Sequence, residues 1–265
     1  MNFLEQCTAL ITGASSGLGA EFARQLAPQA KSLILVARRE DRLEALKAEI
    51  ARPGLTIYIR RADLSERGEV ESLIEWLKSE AFPINFLVNN AGVGDHGLFE
   101  ESDPERLRQM IQVNIMSLTQ ITHALVPTLK AQRNPAILNV SSIASLTPIP
   151  MLAVYAATKA YVTSFSEAIR AELRHTGIRV TALCPGPVET EFGTIAQRPG
   201  ELDPMPSPEF FRVPAVQVVA DALHAVEKDR PRIIPGLLVA IVMCITAAMP
   251  LFILRLAMNC QTKRK

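Results

Sequence analysis

An α/β fold, with a doubly wound parallel sheet of about seven strands and helices on both faces, is predicted by three observations. Strand-like and helix-like patterns alternate along all 265 residues, without internal repeats or low-complexity tracts. The strand-like segments are mostly continuous apolar runs, as strands covered on both faces require. The first of them, Ala9-Leu10-Ile11, leads into T-G-A-S-S-G-L-G at Thr12–Gly19, and a helical pattern follows from Ala20 to Leu26. Strand, glycine turn and helix together bring phosphates to a helix N-terminus, where unpaired N–H groups and the helix dipole favour an anion. The spacing is G-x-x-x-G-x-G, which departs from the commoner G-x-G-x-x-G fingerprint.

The remaining elements follow in order. Leu33–Val36 reads as a second strand and Asp41–Ile50 as an amphipathic helix, with Leu43, Leu46 and Ile50 on one side. Leu55–Ile59 is a third strand, Val70–Leu77 the centre of a helix, and Ile84–Val88 a fourth strand ending in Asn89-Asn90-Ala91-Gly92. Asp103-Pro104-Glu105 is a capped helix start, and the helix runs to about Leu129. Ala136–Val140 forms a fifth strand before Ser141-Ser142, and Ala153–His175 a long helix stopped by Gly177. Ile178–Leu183 is a sixth strand before Cys184-Pro185-Gly186, Ala215–Glu227 a helix, and Arg232–Ile234 a last short strand. Right-handed crossovers place helices over both faces. Gly13, Arg38, Asp63, Asn89, Ser142 and Pro185 then share the carboxyl edge of the sheet, where such sheets bind ligands.

Residues 1–236 read as one domain. Its irregular part, about 187–214, carries six of the seven prolines between Pro185 and Pro214, together with Phe192, Phe210 and Phe211. An irregular surface connection and a mobile lid are the two readings. The start of the segment at the strand-end edge favours the lid. Residues 237–265 form an apolar extension. Ile233 to Leu254 lacks any charge, but Pro250 interrupts it, and Leu237–Met249 would give only about 20 Å of helix. Three readings stay open: packing on the domain or a neighbouring subunit, peripheral membrane contact through 237–258 with Arg255 and Lys263-Arg264-Lys265 at the lipid surface, and a kinked span.

Bulk properties exclude several classes. A net charge of +1 gives no electrostatic case for nucleic acid. The four cysteines form no C-x-x-C pair and the four histidines are scattered, so no metal site is expected and a reducing, cytoplasmic setting is. The start of the chain reads as leading into the first strand and not as a signal peptide.

The motifs, in their joint order, resemble the short-chain dehydrogenase/reductase family. They are T-G-x-x-x-G-x-G at 12–19, A-D-L at 62–64, N-N-A-G at 89–92, Asn114, S-S at 141–142, Y-x-x-x-K at 155–159 and P-G-x-x-x-T at 185–190. The likeness runs from about Thr8 to Ile234 and is closest to the NADP-linked branch, whose second strand ends in A-R-R. Ser145 departs from it, standing where a glycine often follows the serine motif.

The resemblance implies catalysis by Ser142, Tyr155, Lys159 and Asn114. Tyr155 and Lys159 are four residues apart on one helix face. A phenol titrates near ~10; a nearby ammonium and the positive nicotinamide ring of an oxidised cofactor both favour the phenolate, which moves Tyr155 toward useful general acid–base behaviour. Ser142 would hydrogen-bond the substrate oxygen, and Asn114 would position a water linking Lys159 to solvent. Arg38 is assigned to an adenosine 2′-phosphate, assisted by Ser15, because no carboxylate stands there to meet a ribose hydroxyl; Arg39 reads as a solvated helix start. The implied cofactor set is Gly13, Ser15, Ser16, Gly17, Leu18 and Gly19 in the turn, Arg38, then Asp63 and Leu64 at the adenine. It continues with Asn90, Ala91 and Gly92 in the centre, Tyr155 and Lys159, and Pro185, Gly186, Val188 and Thr190 near the carboxamide. Asn89 is expected to stabilise the sheet.

The cofactor expected is NADP(H), the substrate a small apolar carbonyl or alcohol, and the assembly a homodimer or homotetramer. Gly94–Leu98, Ile143–Pro150 and the lid should line the substrate pocket, with Asp95 and His96 as its polar members and His96 an exposed loop residue. Two alternatives are a catalytically silent nucleotide-binding scaffold and a membrane-surface reductase of lipid ketones.

Overall fold

A computed structural model describes residues 3–198, 211–250 and 252–255. Seven parallel strands are ordered β3-β2-β1-β4-β5-β6-β7: β1 Thr8–Thr12, β2 Ser32–Ala37, β3 Thr56–Arg61, β4 Phe86–Asn89, β5 Ala136–Val140, β6 Arg179–Leu183 and β7 Arg232–Ile233. Helices α1 Gly17–Leu26, α2 Glu40–Ile50, α3 Arg67–Ser79, α4 Pro104–Ile111, α5 Leu118–Lys130 and α6 Ala153–Leu173 make the crossovers. The short α7 Glu191–Ala196 and then α8 Ala215–Glu227 follow β6, and α9 Leu237–Ala248 follows β7.

Alternation along the strands builds two apolar layers. Ala9, Ile11, Leu33, Leu35, Phe86 and Val88 face one way and pack with Phe22 and Leu26 of α1, Leu43 of α2, Val218 and Ala222 of α8, and Val239 and Met243 of α9. Leu10, Ile34, Val36, Leu87 and Ile137 face the other way, against Leu73 and Leu77 of α3 and Ile121 and Leu125 of α5. A third cluster, Met110, Ala144, Tyr155 and Ala156, closes the carboxyl end of the sheet.

The helix expected over 103–129 is interrupted. Between α4 and α5 the backbone widens into a π-turn at Gln112–Ser117, the kind of local insertion often found at functional sites. Asn114 lies within it.

The C-terminal segment packs on the domain through one face of α9, where Val239 and Met243 are buried. The opposite face keeps Leu237, Leu238, Ile241 and Ile245 exposed. Among the described residues no helix is long and apolar enough to cross a membrane. Of the proline-rich segment, α7 is described; Pro199, Pro204, Pro206, Pro208 and Phe210 lie outside the described residues, as do residues 256–265.

Candidate functional site

One cleft of about 1720 Å³ opens at the carboxyl ends of the strands. It is larger than a typical pocket for a single drug-sized ligand, about 300–1,000 Å³, so it has room for two. Gly13, Ser15, Ser16, Gly17, Leu18, Arg38, Asp63, Leu64, Asn90, Ala91, Gly92, Ser142, Tyr155, Lys159, Pro185, Gly186, Val188 and Thr190 all line it. Gly19 and Asn114 stand behind its wall.

At one end the chain leaves β1 through Gly13, whose φ of +67° suits glycine, and closes against the end of β4. Asn90 Nδ2 donates to the carbonyls of Thr12 (2.9 Å) and Gly13 (3.3 Å), while Thr12 Oγ1 accepts from the backbone N–H groups of Asn90 and Ala91, each at 3.1 Å. A side chain at Gly19 would sit 2.2 Å from the Gly13 carbonyl oxygen, so only glycine permits this approach. Ser16 precedes α1 without capping it, and the first turn holds no acidic residue. The free N–H groups at this end therefore fit the pyrophosphate of a dinucleotide.

Both arginines after β2 line the cleft, and Arg39 departs from the solvated helix start expected of it. Arg38 is more than half exposed, with Nη1 3.7 Å from Asp63 Oδ2. Arg39, expected in solvent, also lines the cleft and folds over the glycine turn. Its Nη2 donates to Ser16 Oγ at 2.8 Å, and Nε and Nη2 each lie 3.4 Å from Ser15 Oγ. Its Nη1 donates to Glu191 Oε2 at 2.9 Å, and Arg42 binds the other Glu191 oxygen. Both arginines of A-R-R stand at the cleft, as its position at the end of β2 requires. What the motif missed was side-chain direction, fixed by Glu191, which is 152 positions away in sequence.

The other end carries the reactive groups. Ser142 opens a 3₁₀ turn after β5, and its Oγ accepts from Ala144 N at 3.1 Å. Burial pushes the Tyr155 phenol up to about 12, against a hydrogen bond with Ser142 that pulls it down. Lys159 Nζ lies 5.8 Å from the Tyr155 ring centre and donates to the Val140 carbonyl at 2.8 Å, so burial dominates at the phenol. Burial also takes the Lys159 ammonium down to about 8. Asn114 is buried and clamps Val93, accepting from its N–H and donating to its carbonyl (2.9 Å each), with a further donation to Thr158 Oγ1 at 3.0 Å. Its side chain thus shapes the strand-end loop. Asn89 is buried between β4, α5 and β5, donating to Thr122 Oγ1 and Asn139 Oδ1 at 2.8 Å each.

Helix α7 is fastened over this end. Phe192 of α7 packs at a tilt against the Tyr155 ring (5.5 Å between centres) and would meet any side chain placed at Gly94. Asp95 pairs with Arg198 (2.7 Å) and Arg106 (3.1 Å), and Arg106 also donates to the Ile195 carbonyl. Burial pulls the Asp95 carboxyl up, but the Arg198 hydrogen bond and the two guanidinium charges prevail and hold it below its ordinary value. His96, expected to be exposed, is buried: its backbone N–H donates to the Ala196 carbonyl at 3.0 Å, drawing the loop under α7. Among the described residues no cluster of metal-ligating side chains forms.

Residues 7–198 match the family model described as short chain dehydrogenase. A short chain dehydrogenase from Pseudocercospora fijiensis is 33% identical over 192 residues, 72% of this chain and 62% of that protein, so the match spans under two thirds of the relative's length. A short-chain dehydrogenase from Sphingobium yanoikuyae, solved with NADPH, superposes with a TM-score of 0.79 at 31% identity, covering 88% of this chain and 89% of the other. A family member from Burkholderia phymatum, solved with NAD, gives 0.78 at 25% identity, covering 92% and 93%.

Proposed function

The chain belongs to the short chain dehydrogenase family, and from that premise we propose that it interconverts an apolar carbonyl compound and the corresponding alcohol with NADP(H). The observation that carries the reading is the placement of Tyr155, Ser142 and Lys159 in the same cleft as the uncapped start of α1 and the Arg38–Arg39 pair. Gly13–Gly19 and Asn90–Gly92 would hold the dinucleotide, and Arg38, Arg39 and Ser15 its 2′-phosphate. The bound nicotinamide supplies or accepts the hydride.

The rest is done by the chain's own side chains. A phenol at about 12 keeps its proton at neutral pH, so Tyr155 is in the form that protonates the alkoxide oxygen during carbonyl reduction. Ser142 Oγ would hold the substrate oxygen at hydrogen-bond distance from that phenol. Lys159, charged below about pH 8, stabilises the phenolate left by the transfer until solvent returns a proton. Val93, Leu98, Ile149, Leu152 and Phe192 give the substrate end an apolar lining that suits an uncharged ketone or aldehyde.

Oxidation of NADPH and NADH against a panel of apolar ketones and aldehydes tests the proposal. Turnover with NADPH preferred supports it; tight nucleotide binding with no turnover on any member would favour the silent scaffold. A second reading places the enzyme at a membrane surface, on the strength of the exposed face of α9 (Leu237, Leu238, Ile241, Ile245) and the basic residues that follow at 255 and 263–265. Co-sedimentation of the full chain with anionic vesicles separates the two readings.

A further inference from the structure

We propose that Glu191 is a specificity-determining residue: its carboxylate holds the guanidinium that a cofactor 2′-phosphate would use, so it opposes the phosphorylated cofactor and couples that choice to the lid. This rests on the NADP(H) reading above.

Three observations lead to it. First, Arg39 is fully engaged, with Ser15 and Ser16 on one side of its fork and Glu191 Oε2 at 2.9 Å on the other. Any anion bound between Ser15 and Arg39 shares that guanidinium with a carboxylate. Second, Glu191 is the first residue of α7, directly after Thr190, and Thr190 packs on the glycine turn: a side chain at Gly17 would meet it at 3.3 Å. The grip of Glu191 on Arg39 and Arg42 is therefore also a grip of the lid on the phosphate end of the cleft. Third, the Glu191 carboxyl is held below its ordinary value by hydrogen bonds from Arg42 and Arg39, so it stays charged at neutral pH.

A dianionic phosphate on Arg39 is repelled by that charge, whereas a ribose hydroxyl is not. Because coupling between two sites is reciprocal, the phosphate must loosen α7 by as much as Glu191 weakens the phosphate. The groups are part-exposed, which screens the repulsion and keeps it modest: a roughly threefold to tenfold effect at low salt, shrinking as ionic strength rises.

The test measures dissociation constants for 2′,5′-ADP, 5′-AMP, NADPH and NADH on the full-length protein and on Glu191→Gln, by calorimetry or nucleotide fluorescence. The expected result is that Glu191→Gln binds 2′,5′-ADP and NADPH about threefold to tenfold tighter, leaves 5′-AMP and NADH unchanged, and loses the advantage at 0.5 M salt, a concentration that contracts the Debye length to about 4 Å. In the unsubstituted protein, 2′,5′-ADP should also speed amide exchange over residues 191–196 more than 5′-AMP does. Equal gains for all four ligands, no gain, or weaker binding of 2′,5′-ADP by Glu191→Gln would each overturn the inference while leaving the cofactor reading intact. If the unsubstituted protein does not distinguish 2′,5′-ADP from 5′-AMP, the cofactor reading falls and the inference falls with it. Glu191 is half-buried and its ion pairs lie at the surface, so a closely matching unfolding midpoint is expected for the variant and serves as the folding control.

Discussion

At Tyr155 and Lys159 burial outweighs every local attraction, and both groups are moved toward their neutral forms. Tyr155→Phe should leave NADPH binding within about twofold and cut carbonyl reduction by about 10²–10⁴, measured as kcat/KM. The Lys159 shift has a stability consequence whose sign can be worked out. Its folded value, about 8, lies below the ordinary 10.5, so the unfolded chain binds more protons between those two pH values and stability rises there. Below pH 8 the buried charge costs an order of ~3 kcal/mol, partly offset by its bond to Val140. Lys159→Met is therefore expected to raise the urea midpoint at pH 7 while abolishing turnover; a lowered midpoint would show that the Val140 bond outweighs the burial cost. Much of this chemistry was legible in sequence, because strand ends and a four-residue helical spacing fix where Ser142, Tyr155 and Lys159 must lie. The placements of Arg39 and His96 were not, since each is set by a partner on α7: Glu191 for the first and the Ala196 carbonyl for the second.

Among the elements, α7 carries the most consequence for its six residues. It is tied at its start by Glu191 and at its end through Asp95, Arg106 and Arg198. Asp95→Asn leaves two guanidinium groups without their shared carboxylate, and a loss of about 2–4 kcal/mol in unfolding free energy is expected, together with a raised KM for the carbonyl substrate. Gly94→Ala probes the same contact more gently. Its added carbon would stand 2.9 Å from the Phe192 ring, so the lid must shift, and substrate KM should change with nucleotide affinity preserved. The bounds of α8 and β5 were readable to the residue from apolar periodicity and flanking prolines. The π-turn at 112–117 was not: one residue of extra winding hardly disturbs a hydrophobic pattern, although it helps present Asn114 to Val93.

On the scale of the whole molecule, the parallel sheet with helices on both faces was implied by the crossover rules, whereas the strand order and the seating of α9 were not. An all-apolar segment reads the same in sequence whether it meets protein or lipid, and only the fold separates Val239 and Met243, which are buried, from Ile241 and Ile245, which are not. Ile241→Glu with Ile245→Glu should leave the unfolding midpoint within a few degrees while abolishing any vesicle binding or self-association, read by sedimentation. Val239→Asp, by contrast, should destabilise the domain by several kcal/mol, as a charge forced into an apolar contact does. The pairing of β1 with β4 has a further consequence. Three ladder pairs, Ala9 with Phe86, Leu10 with Leu87 and Ile11 with Val88, flanked by hydrogen bonds between Thr8 and Asn85 and between Thr12 and Asn90 and Ala91, join β1–β3 to β4–β7, and the cleft lies across the end of that seam. A dinucleotide there would act as a rivet between two halves of the polypeptide, making nucleotide supply a determinant of how long the protein survives proteolysis.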